Sequence, residues 1–458
     1  MSDNIAERVY TLETRMPNED AWYFKQFSLE YAKLCRRVWQ DLKHGVKCDS
    51  KYVTKLCNNF DFMKRTVNSA VKQVRGRMNA LKELQKVQMT DKRSKIKSLK
   101  NGMIDLKSDI NKLKLEVIKH PNDKILVAKY KNKKKKLYSW QVRVNKYENQ
   151  IRNYEDKNID SLDLCFGSKR FFSKQYNLAE NNYKTHEKWL NDFRKLRDRQ
   201  VYYIGSSDET CGNQMCQLYY YSEVDRFMLR IRKENAYCAS SKKRDKSNYI
   251  WLEIDFKYKR DLLIFALQHN LALTYTITNK GRGWYIDVAF MIPHIIDTDT
   301  SNGCVGLDFN NGFIALTETD SKGNIVNVRT VKLHYHGTGN KAKSEMQNII
   351  SSIVKYTASK KKALCIEDLK FSKAKAQQIR RGKRRYNEML HMLDYSRYKK
   401  CCSDYCITAG VLMRLVNPAY TSKIGKQKYA FSKKLNTHNA AAYVIARRGQ
   451  GFSDELVA

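Results

Sequence analysis

A chain of 458 residues with 42% hydrophobic and 11% aromatic residues can fill two to four packed cores, which excludes a disordered polycation. Lys and Arg number 87 against 47 Asp and Glu, a formal net charge of +40, and self-repulsion on that scale points to a polyanionic partner. No run of about 18 apolar residues is present, and the first twenty residues are acidic and polar, so neither a membrane partner nor a leader segment is expected. Twelve cysteines scattered along the chain suit free thiols in a reducing cytoplasm.

Taken in chain order, "RVYTLET" (8–14) reads as a strand, and residues 20–160, with almost no Gly, read as long helices. Between 51 and 150 there are 27 Lys and Arg against 8 Asp and Glu, culminating in "YKNKKKKLYSW" (130–140). One reading of that stretch is a solvated helical face. The other, favoured by the length of the excess and the interleaved rings, is a nucleic-acid groove built from Lys133, Lys134, Lys135, Lys136 and Trp140. From about 200 the pattern alternates: "RQVYYIGSS", "QLYYYSE", "RFMLRIR", "YIWLEIDFKY" and "LALTYTITNKGRGWYIDVAFMI" read as strands, with a hairpin at Asn279-Lys280-Gly281. Residues 200–293 are expected to form an antiparallel β-barrel or sandwich, joined by the strand near 8–14, with the helical region as an insertion.

The character changes to α/β after 300. "GCVGLDFNNGFIALTETD" (303–320) gives a strand, a turn and a strand; "NIVNVRTVKL" a third; "NKAKSEMQNIISSIVKYTASK" a helix; "ALCIEDL" a buried strand. A basic helical stretch, the strand "GVLMRLVNP" and the helix "THNAAAYVIARRG" follow. The order β-β-β-α-β-α-β-α is that of an RNase H-like fold. Asp308 follows "CVGL" and Glu367 ends "ALCI", each an acid at the end of a buried strand. An unpaired buried carboxylate is costly, so each calls for a cap, an ion pair or a metal. On the two central strands of such a sheet they can converge on a divalent cation for phosphodiester hydrolysis.

"VGLDFNNGFIALTETDSKGNI" resembles the first RuvC motif of TnpB-type nucleases and the related compact type V CRISPR effectors. "LCIEDLKF" is similar to their second motif, and "NPAYTSKIG…THNAAAYVIARRG" to the segment leading into and forming the third. The resemblance extends upstream to "CFGSKRFFSKQYN" (165–177) and covers most of the chain. It implies a multidomain α+β architecture. Residues 1–25 and 166–298 would form a β-barrel wedge domain interrupted by a basic helical recognition lobe at 26–165. Residues 299–458 would form a RuvC-like nuclease domain with a degenerate zinc-ribbon segment near 401–430. It further implies an RNA-guided DNA endonuclease of the prokaryotic cytosol or nucleoid, monomer or homodimer, with guide RNA and double-stranded target DNA as partners and Mg²⁺ or Mn²⁺ as cofactor. Structural zinc is not expected: Gly425 and Lys428 stand where the family has CxxC, and Cys401, Cys402 and Cys406 have no second pair. Basic residues between the second and third motifs (Arg380, Arg381, Lys383, Arg384 and Arg385) would either steer a single strand or form a plain surface helix.

The third acid departs from the family pattern. Counting seven residues back from Ile445 lands on His438 where the family carries Asp. Three readings stand: a metal ligand with Asp308 and Glu367, a general base or water-positioning group, or a degenerate site in a nuclease-dead repressor or transposon accessory protein. A DDE-type transposase shares the core fold, but nothing here resembles a helix-turn-helix for transposon ends.

Overall fold

The computed structural model describes residues 4–17, 19, 21–155, 163–240, 245–310, 312–335, 339–369 and 395–456. They form two compact units, one of Met1–Arg8, Thr90–Glu148 and Pro293–Ala458, the other of Val9–Met89 and Asn149–Ile292. Among the described residues no helix is long and apolar enough to cross a membrane.

The second unit is built on two sheets. Strands β1 (Ile5–Arg15), β2 (Gln200–Tyr203), β6 (Thr274–Asn279) and β7 (Trp284–Ile295) lie in the order β1-β7-β6-β2. Strands β3 (Cys216–Tyr221), β4 (Arg226–Arg232) and β5 (Tyr249–Ile254) form an antiparallel meander. Helix α1 (Ala21–Lys43) places Tyr23, Phe24, Phe27, Tyr31, Leu34 and Val38 on one stripe at three- and four-residue steps, each 1% exposed or less. That stripe joins the inner faces of both sheets in one hydrophobic cluster. The closed antiparallel barrel expected here is therefore corrected: among the described residues the strands form two separate ladders. The physical reason is that the rings of α1 fill the apolar space that strand closure would otherwise have to cover, with Phe24 5.9 Å from Trp284 and Phe27 6.5 Å from Tyr203. The run 260–268, unassigned from sequence, is a helix that buries Leu263 and Ala266.

A buried acid crosses this core. Glu234, 0% exposed, accepts from the Met63 backbone N–H at 2.6 Å and the Thr66 hydroxyl at 2.5 Å. Burial pushes its carboxyl up to about 7 against the pull of those two donors. The folded chain thus holds this proton more tightly than the unfolded chain, whose carboxyl titrates near 4.5. Its contribution is most favourable below that value, declines as pH rises through about 7, and is flat above. Glu234→Gln should flatten the denaturation profile over this window, gaining up to about 3 kcal/mol on the wild type between pH 5 and pH 8. Urea titrations of both proteins at the two pH values measure this; an equal stability difference at both would show that the acid is not held neutral.

The long helices α3 (Lys64–Lys119) and α4 (Lys124–Glu155) run through both units, and their parts in the first unit pair through Leu99, Met103, Leu106 and Ile110 against Trp140 and Val144. The rest is an α/β domain with the expected element order. Strands β8 (Asp299–Asn310), β9 (Phe313–Thr319) and β10 (Ile325–Lys332) are antiparallel neighbours. Helix α7 (Asn340–Ser359), β11 (Lys362–Glu367), α8 (Tyr395–Thr408), β12 (Met413–Val416) and α9 (Thr437–Gln450) follow. The sheet order is β10-β9-β8-β11-β12, with β11 parallel to both β8 and β12. The two-residue alternation of strands divides the central pair into two faces. Val305, Leu307, Leu364 and Ile366 pack with α7 and α8. Cys304, Ala363 and Cys365 pack with Ile445 and Ala446 of α9. Behind β9, Lys362 bonds Glu318 at 2.6 Å and the Thr319 carbonyl at 2.7 Å, a nearly buried ion pair that ties β11 to β9.

Candidate active site

The same alternation sets Asp308 on the α9 face two residues beyond Gly306, and Glu367 there two residues beyond Cys365. Leu307 lies opposite Ile366 in the parallel ladder. The two acids are the next residues along adjacent strands, near their C-terminal ends, the edge where open α/β sheets form their sites.

Helix α9 brings the third group. It can lie on the strands because the contact surface carries almost no side chain: Ala440, Ala441, Ala442 and Ala446 are buried. A Cβ on Gly306 would stand 2.1 Å from the Ala442 carbonyl oxygen, and one on Gly449 would stand 2.0 Å from Cys365 Sγ. The helix start is fixed by Asn436, whose side chain accepts from the Asn439 N–H at 2.7 Å, and by the Thr317 hydroxyl, which donates to the Asn439 carbonyl at 2.9 Å. His438 then falls in the first turn, with Nδ1 3.1 Å from Asp308 Oδ2 and its ring edge-on to Phe313 at 5.0 Å. With the proton on Nδ1, Nε2 keeps a lone pair for a metal or a water.

The carboxylates are held differently. Asp308 Oδ2 accepts from the Asn310 amide at 2.8 Å. Glu367 accepts from the Thr421 hydroxyl at 2.5 Å. Burial pushes the Glu367 carboxyl up to about 7; the charge of Asp308 adds to the rise, while Thr421 and the Arg448 guanidinium oppose it. Tyr395 donates to the Glu367 carbonyl oxygen and Phe309 stacks on Tyr398 at 4.2 Å, which anchors both strand ends from the opposite face. Two carboxylates and an imidazole are a donor set suited to Mg²⁺ or Mn²⁺, the nitrogen favouring Mn²⁺. Among the described residues no group of three or more His, Cys, Asp or Glu side chains is gathered closely enough to hold an ion. The direct contact made is His438 on Asp308, while Glu367 turns to Thr421.

Thr421 and Arg448 escaped the sequence reading as site residues. The one visible signal was that Thr421 lies in "NPAYTSKIG" and Arg448 in "ARRG", segments read only as flanks of the third motif. Of the basic candidates, Lys134, Lys135 and Lys136 are exposed on α4, and Lys133 bonds Asp109 at 2.7 Å. Trp140 is 6% exposed and fills the α3–α4 interface, so it is placed as a core residue rather than a stacking platform. Arg380, Arg381, Lys383, Arg384 and Arg385 lie outside the described residues. Cys401, Cys402 and Cys406 are buried on α8, and burial pushes the Cys401 and Cys406 thiols up to about 11 and about 12.

No family model and no curated protein sequence matches the chain. Among solved structures it is similar to T. thermophilus RuvC in complex with a Holliday junction substrate, at 17% identity and TM-score 0.23, over 31% of this chain and 89% of that one. It is also similar to Cas12f1 in a complex with sgRNA and target DNA, at 11% identity and TM-score 0.23, over 54% of this chain. A third similarity is to Cas12i1 in a binary complex with crRNA, at 10% identity and TM-score 0.27, over 89% of this chain. The alignments span 66% of the Cas12f1 chain and 51% of the Cas12i1 chain.

Proposed function

We propose that this chain is an RNA-guided DNA endonuclease whose α/β domain hydrolyses phosphodiester bonds at Asp308, Glu367 and His438. One observation carries the nuclease reading: two acids stand near the C-terminal ends of adjacent parallel strands on one face, and a helix N-terminus sets an imidazole against the first of them. The charge of +40 and the sequence resemblance to guided nucleases support guide RNA and target DNA as the partners.

Asp308 and Glu367 would hold a divalent cation, with His438 completing the set. When bound, the ion supplies an activated water and neutralises charge on the phosphate. The chain's own residues do the positioning. Asn310 orients the Asp308 carboxylate, and Asp308 orients the His438 ring. Thr421 directs one oxygen of Glu367, while the alanine seam of α9 keeps bulk out of the helix–sheet contact. Arg448, bonded to the Asn417 and Ala419 carbonyls, holds a positive charge beside Glu367.

Sequencing the RNA that co-purifies with the chain, then supplying that RNA and a matching DNA target with Mg²⁺ or Mn²⁺, tests the reading. Metal-dependent cutting of matched but not mismatched DNA is the expected result. Binding with no cutting in either metal would leave the second reading, a guided repressor or transposon accessory protein. That reading has its own observation, the absence of three gathered metal-binding side chains among the described residues. If His438 coordinates the ion, the ratio of Mn²⁺- to Mg²⁺-supported rates should fall several-fold in His438→Asp, because oxygen replaces nitrogen. An unchanged ratio would remove His438 from the ligand set and leave it a water-positioning role.

A further inference from the structure

The β3–β4–β5 meander turns one face to the core and the other to solvent. Phe227, Leu229 and Ile231 of β4 point inward, and Met228, Arg230 and Arg232 point outward. Register places Arg230 opposite Gln217 on β3 and Trp251 on β5, and Arg232 opposite Tyr249. The Arg230 guanidinium lies 4.8 Å from the Tyr249 ring centroid, 5.5 Å from Trp251 and 5.8 Å from Tyr219. Trp251 nevertheless stays 43% exposed. No carboxylate bonds Arg230 among the described residues; its hydrogen-bond partner is the Gln217 side-chain oxygen, which also accepts from the Tyr219 hydroxyl at 2.9 Å. Gln217 thus turns its oxygen to Arg230 and Tyr219, and among the described residues its amide N–H groups donate to no partner. A cleft of about 840 Å³, lined in part by Gln217, Arg230, Arg232 and Tyr249, opens beside this surface.

We propose that this sheet face is a binding site for unpaired nucleobases of a single-stranded nucleic acid, stacked on Trp251 and Arg230. Flat rings and a guanidinium offer π-faces that every base can use. Gln217 supplies an edge donor, and Arg232, its guanidinium 5.0 Å from the Tyr249 ring centroid, adds positive charge to the face. A paired base has its face covered by its neighbours in the helix, so the platform selects single strands. The site lies in the second unit and does not depend on whether the α/β domain cuts.

The test uses the full-length chain stripped of nucleic acid, with labelled oligouridine RNA, oligothymidine DNA and a blunt duplex, titrated at several salt concentrations. Trp251→Leu and Arg230→Gln should each weaken single-strand binding about tenfold and leave duplex binding unchanged. Arg226→Gln is the control, since it removes the same charge from the same strand at a residue bonded to Glu253 at 2.5 Å. The stacking loss should persist at high salt, where phosphate contacts fade. Whichever strand type shows the loss, RNA or DNA, names the source of the base. Melting curves matching the wild type confirm that these outward side chains do not hold the fold. Equal effects of Arg226→Gln and Arg230→Gln, or unchanged single-strand affinity in Trp251→Leu, would overturn the site and leave only unspecific charge.

Discussion

Asp308→Ala should retain guide-dependent DNA binding and lose more than about a hundredfold in cleavage rate, since even outer-shell partners of metal ligands are worth 10- to 100-fold. The variant separates chemistry from binding because Asp308 does not support the fold. Its bonds are to Asn310 and His438, both local to the site, and the apolar packing of β8 runs through Val305 and Leu307 instead. Its charge also raises the neighbouring Glu367 carboxyl. Without divalent cation, Asp308→Ala should therefore melt no lower than the wild type, as expected where like charges are gathered for function at some cost in stability. The measurements are a cleavage time course with matched target in Mn²⁺ and a melting curve in chelator. Wild-type cutting by the variant would remove Asp308 from the site and with it the nuclease reading.

Gly306→Ala should be nearly as damaging from a position that touches no substrate. Its Cβ would stand 2.1 Å from the Ala442 carbonyl oxygen and 2.6 Å from the Ala446 nitrogen, both helix backbone with no rotamer to turn aside. The helix has to lift, at about 1–3 kcal/mol for overpacking. His438 rides on that helix and is held to Asp308 by a single 3.1 Å contact. A displacement of about 1 Å at a catalytic group can cost a hundredfold. The expected phenotype is a folded protein that binds guide and target, melts lower, and cuts about a hundredfold more slowly. Cleavage at the wild-type rate would show that the α9 approach is not what positions the site.

The α/β domain was legible where a pattern is local. "CVGL" and "ALCI" are unbroken apolar runs ended by acids, and a strand buried on both faces has that signature. The alanine run of α9 announced a close approach without naming its partner, because Gly306 lies over 130 residues upstream and nothing in either segment encodes the pairing. Shorter separations, 54 residues between Thr421 and Glu367 and 44 between Lys362 and Glu318, hid those two contacts in the same way. Trp140 misled for a different reason. An aromatic among lysines matches a nucleic-acid surface in composition, yet the four-residue step from Trp140 to Val144 puts both on the buried seam of α4. The sheet region failed at closure, because alternation specifies strands and their inward faces but not whether a helix such as α1 fills the space between ladders.

Gly449 has a consequence for how the domain can be watched. It seals Cys365 Sγ beneath α9, with Cys304 alongside, and both cysteines are fully buried. A thiol reagent reaches them only in molecules whose helix has transiently left the strands. Labelling of these two cysteines is therefore a built-in clock for local opening, timing how often the element that carries His438 lets go.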